Sequence, residues 1–312
     1  MTKNLDKYKG IIPAFYACYD DEGNVSPERV QKLVKYYLAK GVKGLYVGGS
    51  SGECIYQTVE ERKLVLENVM KAVGGQMTII AHVAAPSTRD SIELAKHAEQ
   101  LGVDALAAIP PIYFVLPEPA IEAYWTSIME ATNLDFIIYN IPQTTGYALS
   151  EKLFKKMMAK EQVIGVKNSS MPVMDINMWK LRAPKENIIF NGPDEQFVGG
   201  RVMGADAGIG GTYGVYPELL LEADRCVREG ELDKALEIQL CVNDLISQLT
   251  SFKGNLYDVM KLILAQRGVA VGRARYPLPH VEESEMDRVT QVRENIDKAI
   301  EKYVGQGLTK VN

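Results

Sequence analysis

Phe136-Ile137-Ile138-Tyr139-Asn140-Ile141-Pro142 is an apolar run too short for a helix, closed by polar groups and a proline. From Ser150 to Lys160 the chain takes up helical periodicity, and Val163-Ile164-Gly165-Val166-Lys167 is a second apolar run that again ends on a polar residue. Strand, helix and strand in that order imply two parallel strands joined by a crossover. The same alternation extends outward in both directions, from residue 10 to about residue 230. The spacing predicts strands over Gly10–Ala17, Gly44–Gly49, Met77–Ala84, Ala105–Pro110, Phe136–Ile141, Val163–Lys167, Ile188–Asn191 and Ala207–Thr212.

Between the strands lie amphipathic helices with legible ends. Val30, Leu33, Val34, Tyr37 and Leu38 make one apolar face, behind a Ser26 cap with Pro27 at the first helical position and a stop at Gly41. Thr58-Val59-Glu60-Glu61 has capping-box spacing and opens a helix that closes near Gly74-Gly75. Residues 87–102 and 118–132 behave similarly. Eight strand–helix units in roughly 220 residues match a closed (β/α)8 TIM barrel, an α/β fold. An open doubly wound sheet is disfavoured, because the first strand–helix turn, Tyr19-Asp20-Asp21-Glu22-Gly23, is acidic and carries no GxGxxG. After residue 230 the helical stretches Glu231–Phe252, Asn255–Gln266 and Glu282–Tyr303 follow without strands. The chain therefore divides into a barrel over 1–230 and a C-terminal helical extension over 231–312.

Composition excludes several classes of function. A formal charge of −5 and no basic run argue against nucleic acid. No apolar stretch is long enough to span a bilayer, and the N-terminus lacks the apolar core of a secretory signal. Four cysteines without CxxC spacing and three histidines argue against a metal site, and reduced cytoplasmic thiols are the expectation.

In a barrel of this kind chemistry sits at the C-terminal ends of the strands. There Lys167 and Tyr139 end successive apolar runs; an amine able to form an imine beside a phenol able to move protons suggests chemistry on a carbonyl. Gly48-Gly49-Ser50-Ser51-Gly52-Glu53 is a nest suited to a small anion, particularly a carboxylate. Tyr113 follows strand 4. Asn191-Gly192-Pro193-Asp194-Glu195 offers acids that either complement a helix start or accept from hydroxyls, and Gly208-Ile209-Gly210-Gly211-Thr212 leaves room in the mouth.

In order and spacing these residues resemble the N-acetylneuraminate lyase and dihydrodipicolinate synthase family of class I pyruvate aldolases, across essentially the whole chain. The resemblance rests on Gly48-Gly49-Ser50-Ser51-Gly52-Glu53, Tyr139-Asn140-Ile141-Pro142, Gly165-Val166-Lys167 and Gly192-Pro193-Asp194-Glu195. It implies Lys167 as the Schiff-base lysine, Tyr139 as the proton-transfer residue, Ser50 and Ser51 as holders of the pyruvyl carboxylate, and Tyr113 as a tyrosine reaching a neighbouring subunit's site in a homotetramer. It further implies no metal or organic cofactor beyond the covalent imine, with pyruvate and a keto sugar acid as small-molecule partners.

The synthase branch typically carries an arginine five residues beyond the tyrosine; here that position is Thr144, which offers no bidentate pairing to a carboxylate. The sialic acid branch has an Asp-Glu pair after strand 7, matched by Asp194 and Glu195, and a hydroxyl residue matched by Ser169. Gly192, Gly210 and Gly211 complete the expected substrate pocket. Two positions depart from that branch: Pro193 replaces a usual aromatic residue and Gly211 a frequent serine. The expectation is retro-aldol cleavage of N-acetylneuraminate to N-acetylmannosamine and pyruvate. A 2-keto-3-deoxy sugar acid aldolase, a 4-hydroxy-tetrahydrodipicolinate synthase and a non-catalytic sugar-acid binding barrel are the alternatives.

Overall fold

Each of the eight apolar runs contains a strand in the computed structural model, which describes residues 3–305. They are β1 (Gly10–Pro13), β2 (Gly44–Val47), β3 (Thr78–His82), β4 (Ala105–Ala108), β5 (Asp135–Asn140), β6 (Val163–Asn168), β7 (Ile188–Asn191) and β8 (Ala207–Gly210). The order is β1-β8-β7-β6-β5-β4-β3-β2, with parallel pairing throughout. A parallel bridge between Ala14 and Tyr46 brings the first and last members together, so the sheet is a barrel.

Strand ends differ from the apolar runs for a physical reason. The run from Gly10 continues apolar to Ala17, yet the strand ends at Pro13 and the last bridge is Ala14 to Tyr46. Residues 15–19 remain buried while bonding elsewhere, Ala17 N–H to Ser51 O (3.3 Å) and Tyr19 N–H to Val271 O (3.0 Å). Burial, not pairing, makes that stretch apolar. The run expected to reach Thr212 likewise pairs only to Gly210.

The helices are α1 (Pro27–Ala39), α2 (Val59–Val73), α3 (Thr88–Leu101), α4 (Glu118–Glu130), α5 (Pro142–Thr145), α6 (Glu151–Met158), α7 (Met174–Arg182), α8 (Phe197–Val202), α9 (Pro217–Glu229), α10 (Leu232–Thr250), α11 (Leu256–Gln266) and α12 (Met286–Val304). Ser26 caps α1, and both bonds of the Thr58–Glu61 capping box form at α2. Such caps contribute about 1 kcal/mol each. Glycine in the left-handed region closes α2 at Gly74 and α3 at Gly102. The helix α8 holds Gly199-Gly200, a pair that reads as loop. A Cβ at Gly200 would lie 2.2 Å from Asn191 Oδ1, so close packing on β7 requires that glycine.

Two apolar layers result. Ile12, Tyr46, Ile80, Ile137, Phe190 and Ile209 fill the barrel interior. A second, larger cluster lies between strands and helices and takes in Ile238, Val242, Ile263 and Ile296 from α10, α11 and α12. Helices α10 and α12 pack on α9, which places α11 beside the mouth of the barrel.

Candidate active site

Tyr139 and Lys167 are register partners on β5 and β6, so both point into the barrel from neighbouring strands. The next rung fixes them. Asn140 donates through Nδ2 to Asn168 Oδ1 (2.9 Å), and the same oxygen accepts from Trp179 Nε1 (3.0 Å). Asn168 Nδ2 donates to Ser170 Oγ (2.8 Å), which donates to Asp175 (2.6 Å). This hydrogen-bond network locks the strand ends on which Tyr139 and Lys167 sit.

Lys167 is buried, its Nζ 3.9 Å from the centroid of the Tyr139 ring and 4.3 Å from that of Tyr46. It makes no ion pair among the described residues. Burial outweighs the Asp194 carboxylate, which pulls the other way, and brings the amine from its ordinary value down to about 7. Burial pushes the Tyr139 phenol up to about 12, against the opposing effect of the Ser169 and Ser50 hydroxyls, so the phenol is neutral at pH 7.

The Gly48–Glu53 segment follows β2 and holds a 3-10 turn over Ser50–Gly52. Gly48 has φ +77°, and a Cβ at Gly49 would lie 2.6 Å from the Tyr46 ring, so both glycines are required. Ser51 is buried and Ser50 exposed. His82 supports the turn from β3. Its Nε2 accepts from Ile109 N–H (3.4 Å), which leaves the proton on Nδ1 to donate to Gly48 O (2.9 Å). Burial brings His82 down to about 3, so it stays uncharged.

On the far side, the adjacent acids divide. Asp194 is buried; its Oδ2 accepts from Thr212 N–H (2.7 Å) and hydroxyl (2.6 Å), while Oδ1 has no partner. Burial raises its carboxyl to about 6. Glu195 is exposed and makes no hydrogen bond or ion pair among the described residues. A Cβ at Gly210 would strike Asp194 Oδ1 at 2.2 Å, one at Gly192 would strike Ser169 Oγ at 2.0 Å, and one at Gly211 would reach within 3.0 Å of Ser51 Oγ. These glycines therefore let three polar side chains close on one space, and a serine at 211 would crowd Ser51.

Lys167, Tyr139, Ser50, Ser51, Ser169, Gly192, Asp194, Gly210 and Gly211 thus converge at one mouth. Tyr113 does not: it is 93% exposed with φ +84°, its ring against Phe114. Thr144 is exposed on α5. Residues not singled out from sequence also line the site. Tyr46 stands inside an apolar run and reads as core. The Lys167 charge bears on the Cys54 thiol, and the Tyr139 and Asp194 groups and the Ser51 hydroxyl bear on the Tyr257 phenol of α11. Only pairing across the mouth, far apart in sequence, reveals them.

Known proteins match this chain over nearly its whole length. A Mediterraneibacter gnavus N-acetylneuraminate lyase is 58% identical over 304 residues, 97% of this chain and 96% of the relative. The structure described as a Ruminococcus gnavus sialic acid aldolase catalytic lysine mutant superposes with a TM-score of 0.95 at 57% identity, covering 97% of this chain and 100% of that one. A Clostridium difficile protein solved in complex with mannosamine gives a TM-score of 0.89 at 29% identity, over 92% and 99% of the two chains. The family profile described as the dihydrodipicolinate synthetase family matches residues 7–296, and the chain belongs to that family.

Proposed function

We propose that this chain is an N-acetylneuraminate lyase that cleaves the open-chain keto sugar acid to N-acetylmannosamine and pyruvate through an imine on Lys167. The observation that carries the reading is an amine brought to about 7 in a barrel mouth, ringed by Tyr139 and Tyr46 with no ion pair to hold it charged. An ordinary lysine, near 10.4, is unprotonated in only about one molecule in 2,500 at pH 7; an amine brought to about 7 is far more often free at that pH. The similarity to an N-acetylneuraminate lyase at 58% identity supports the choice of sugar acid.

In this reading the Lys167 amine adds to the C2 ketone, and loss of water gives a protonated imine. Ser50 and Ser51 hold the adjacent carboxylate. The C4 hydroxyl proton passes through the Tyr139 phenol toward the substrate carboxylate; C3–C4 breaks, and its electron pair flows into the imine to leave an enamine. The aldehyde departs as N-acetylmannosamine. Protonation at C3 and hydrolysis then release pyruvate and the free amine. The unpartnered Asp194 Oδ1 is available to accept from sugar hydroxyls, with Glu195 at the outer edge. The covalent imine is the electron sink, so the reading requires no metal or organic cofactor. We further propose a homotetramer in which Tyr113 reaches a neighbouring subunit, and a cytoplasmic enzyme.

Borohydride with pyruvate is expected to add a single irreversible mass at Lys167. A lactate dehydrogenase-coupled assay should find faster pyruvate release from sialic acid than from 2-keto-3-deoxygluconate. A protein that stays unmodified while an aldolase control reacts is not an aldolase of this type; faster release from the deoxy sugar acid would reassign the substrate.

A further inference from the structure

Beyond the barrel, α11 carries two side chains one helical turn apart, Tyr257 and Lys261, that face the turn bearing Ser50 and Ser51. Lys261 forms an ion pair with Glu53 in which both side chains are 0% exposed. Glu53 is the residue that closes that turn, its N–H donating to Ser50 O (2.9 Å), and it does so at φ +51° and ψ 35°. A non-glycine residue in the left-handed region persists only where its surroundings enforce it. Here they do. Besides the Lys261 ammonium, the second Glu53 oxygen accepts from Arg275 N–H (2.8 Å), and Lys261 also donates to Arg273 O (3.1 Å). Burial holds the Tyr257 phenol above its ordinary range, and the Ser51 hydroxyl of the same turn opposes that shift.

A buried ion pair is a poor device for stability, since apolar residues of similar size do as well or better. Its value is in fixing one geometry, and the geometry fixed here is that of a substrate-binding turn. We propose that α11 is a positioning element for the carboxylate-binding turn, acting through Lys261 on Glu53 and through Tyr257 on Ser51. The proposal rests on the aldolase reading above and deepens it: the C-terminal helices complete the site rather than only packing beside it. Neither Glu53 nor Lys261 touches Lys167, so the pair acts on how pyruvate is held and not on the amine itself.

The test is borohydride trapping as a function of pyruvate concentration, in the intact chain and in two variants, Tyr257→Phe and the charge-free double Glu53→Gln/Lys261→Met. The pyruvate concentration giving half-maximal trapping should rise about tenfold in each, with a smaller fall in the limiting rate and an unmoved pH midpoint. A purely structural role instead lowers the amount of reactive protein at constant half-saturation, and that result overturns the proposal. If the double variant does not fold, Tyr257→Phe decides alone, because loss of one hydroxyl leaves packing intact; unchanged half-saturation there is likewise fatal. An intact chain that forms no pyruvate adduct defeats the aldolase reading itself and the proposal with it.

Discussion

Among single residues, burying Lys167 and keeping it uncharged opposes folding. Lowering an amine from 10.5 to about 7 by burial costs the fold on the order of 5 kcal/mol. The sign follows from proton binding: between pH 7 and 10.5 the unfolded chain holds the proton and the folded one does not, so stability rises with pH across that window and the full penalty is present below 7. Lys167→Met is therefore expected to raise the Tm at pH 7 by several degrees while abolishing trapping and turnover. Thermal melts of the two proteins check it, and a lower Tm for the variant would mean the amine is not destabilising where it sits. For the same reason imine formation in the unsubstituted protein should rise with pH to a plateau, with a midpoint near 7; a midpoint above 9 would contradict the burial argument. Tyr139→Phe removes a neutral phenol and leaves the amine in place. Turnover should fall by about 10²–10⁴, the usual worth of a positioned proton donor or acceptor, while pyruvate is still trapped on Lys167. Turnover within threefold of the unsubstituted rate would take the proton role away from Tyr139.

Among the elements, β6 and β7 show why some of the site was legible in sequence and some was not. Lys167 and Tyr139 stand out in sequence because a polar residue at the end of an apolar strand has few places to point but the mouth, and both do point into the barrel. The turn at Gly48–Glu53 was visible from its glycines. Asp194 and Glu195 looked equivalent in sequence; whether an acid lies in or out depends on the short helical turn after β7, which buries one and exposes the other. Tyr46 was hidden by its own strand, since an inward tyrosine among apolar neighbours reads as packing. Tyr257 was hidden by distance along the chain, for nothing local to α11 says that it faces β2. Gly165 is the sharpest case of a residue whose role is invisible without pairing: a Cβ there would lie 1.7 Å from the Ile188 carbonyl oxygen. Gly165→Ala must therefore push β6 off β7, the strands on which Lys167 and Asp194 depend. It is expected to cost more than about 3 kcal/mol, in the range of strong overpacking, read as a drop in denaturation midpoint or loss of soluble protein. A variant with wild-type stability would show that the two strands are looser than their register implies.

For the whole molecule, the feature that a lone barrel does not explain is the loop after β4. Tyr113, Phe114 and Val115 are 93%, 71% and 83% exposed, three large apolar side chains in succession at the tip of a segment with Tyr113 at φ +84°. Scattered apolar residues on a surface need no account, but three adjoining ones held in a strained backbone do. Ile55, 58% exposed, adds a further apolar side chain, on the turn leading into α2. A second copy of the chain is the occupant that the homotetramer proposal supplies, and it would turn an exposed liability into a buried contact. Sedimentation velocity of the intact chain is then expected to show a species well above 34.6 kDa, with Phe114→Ser/Val115→Ser shifting mass toward the single chain. Tyr113→Phe should leave the assembly whole, because its ring is retained, but lower turnover if the hydroxyl enters a neighbour's site. A single species at the mass of one chain, at concentrations where turnover is full, would mean that each barrel works alone and that Tyr113 has no part in catalysis.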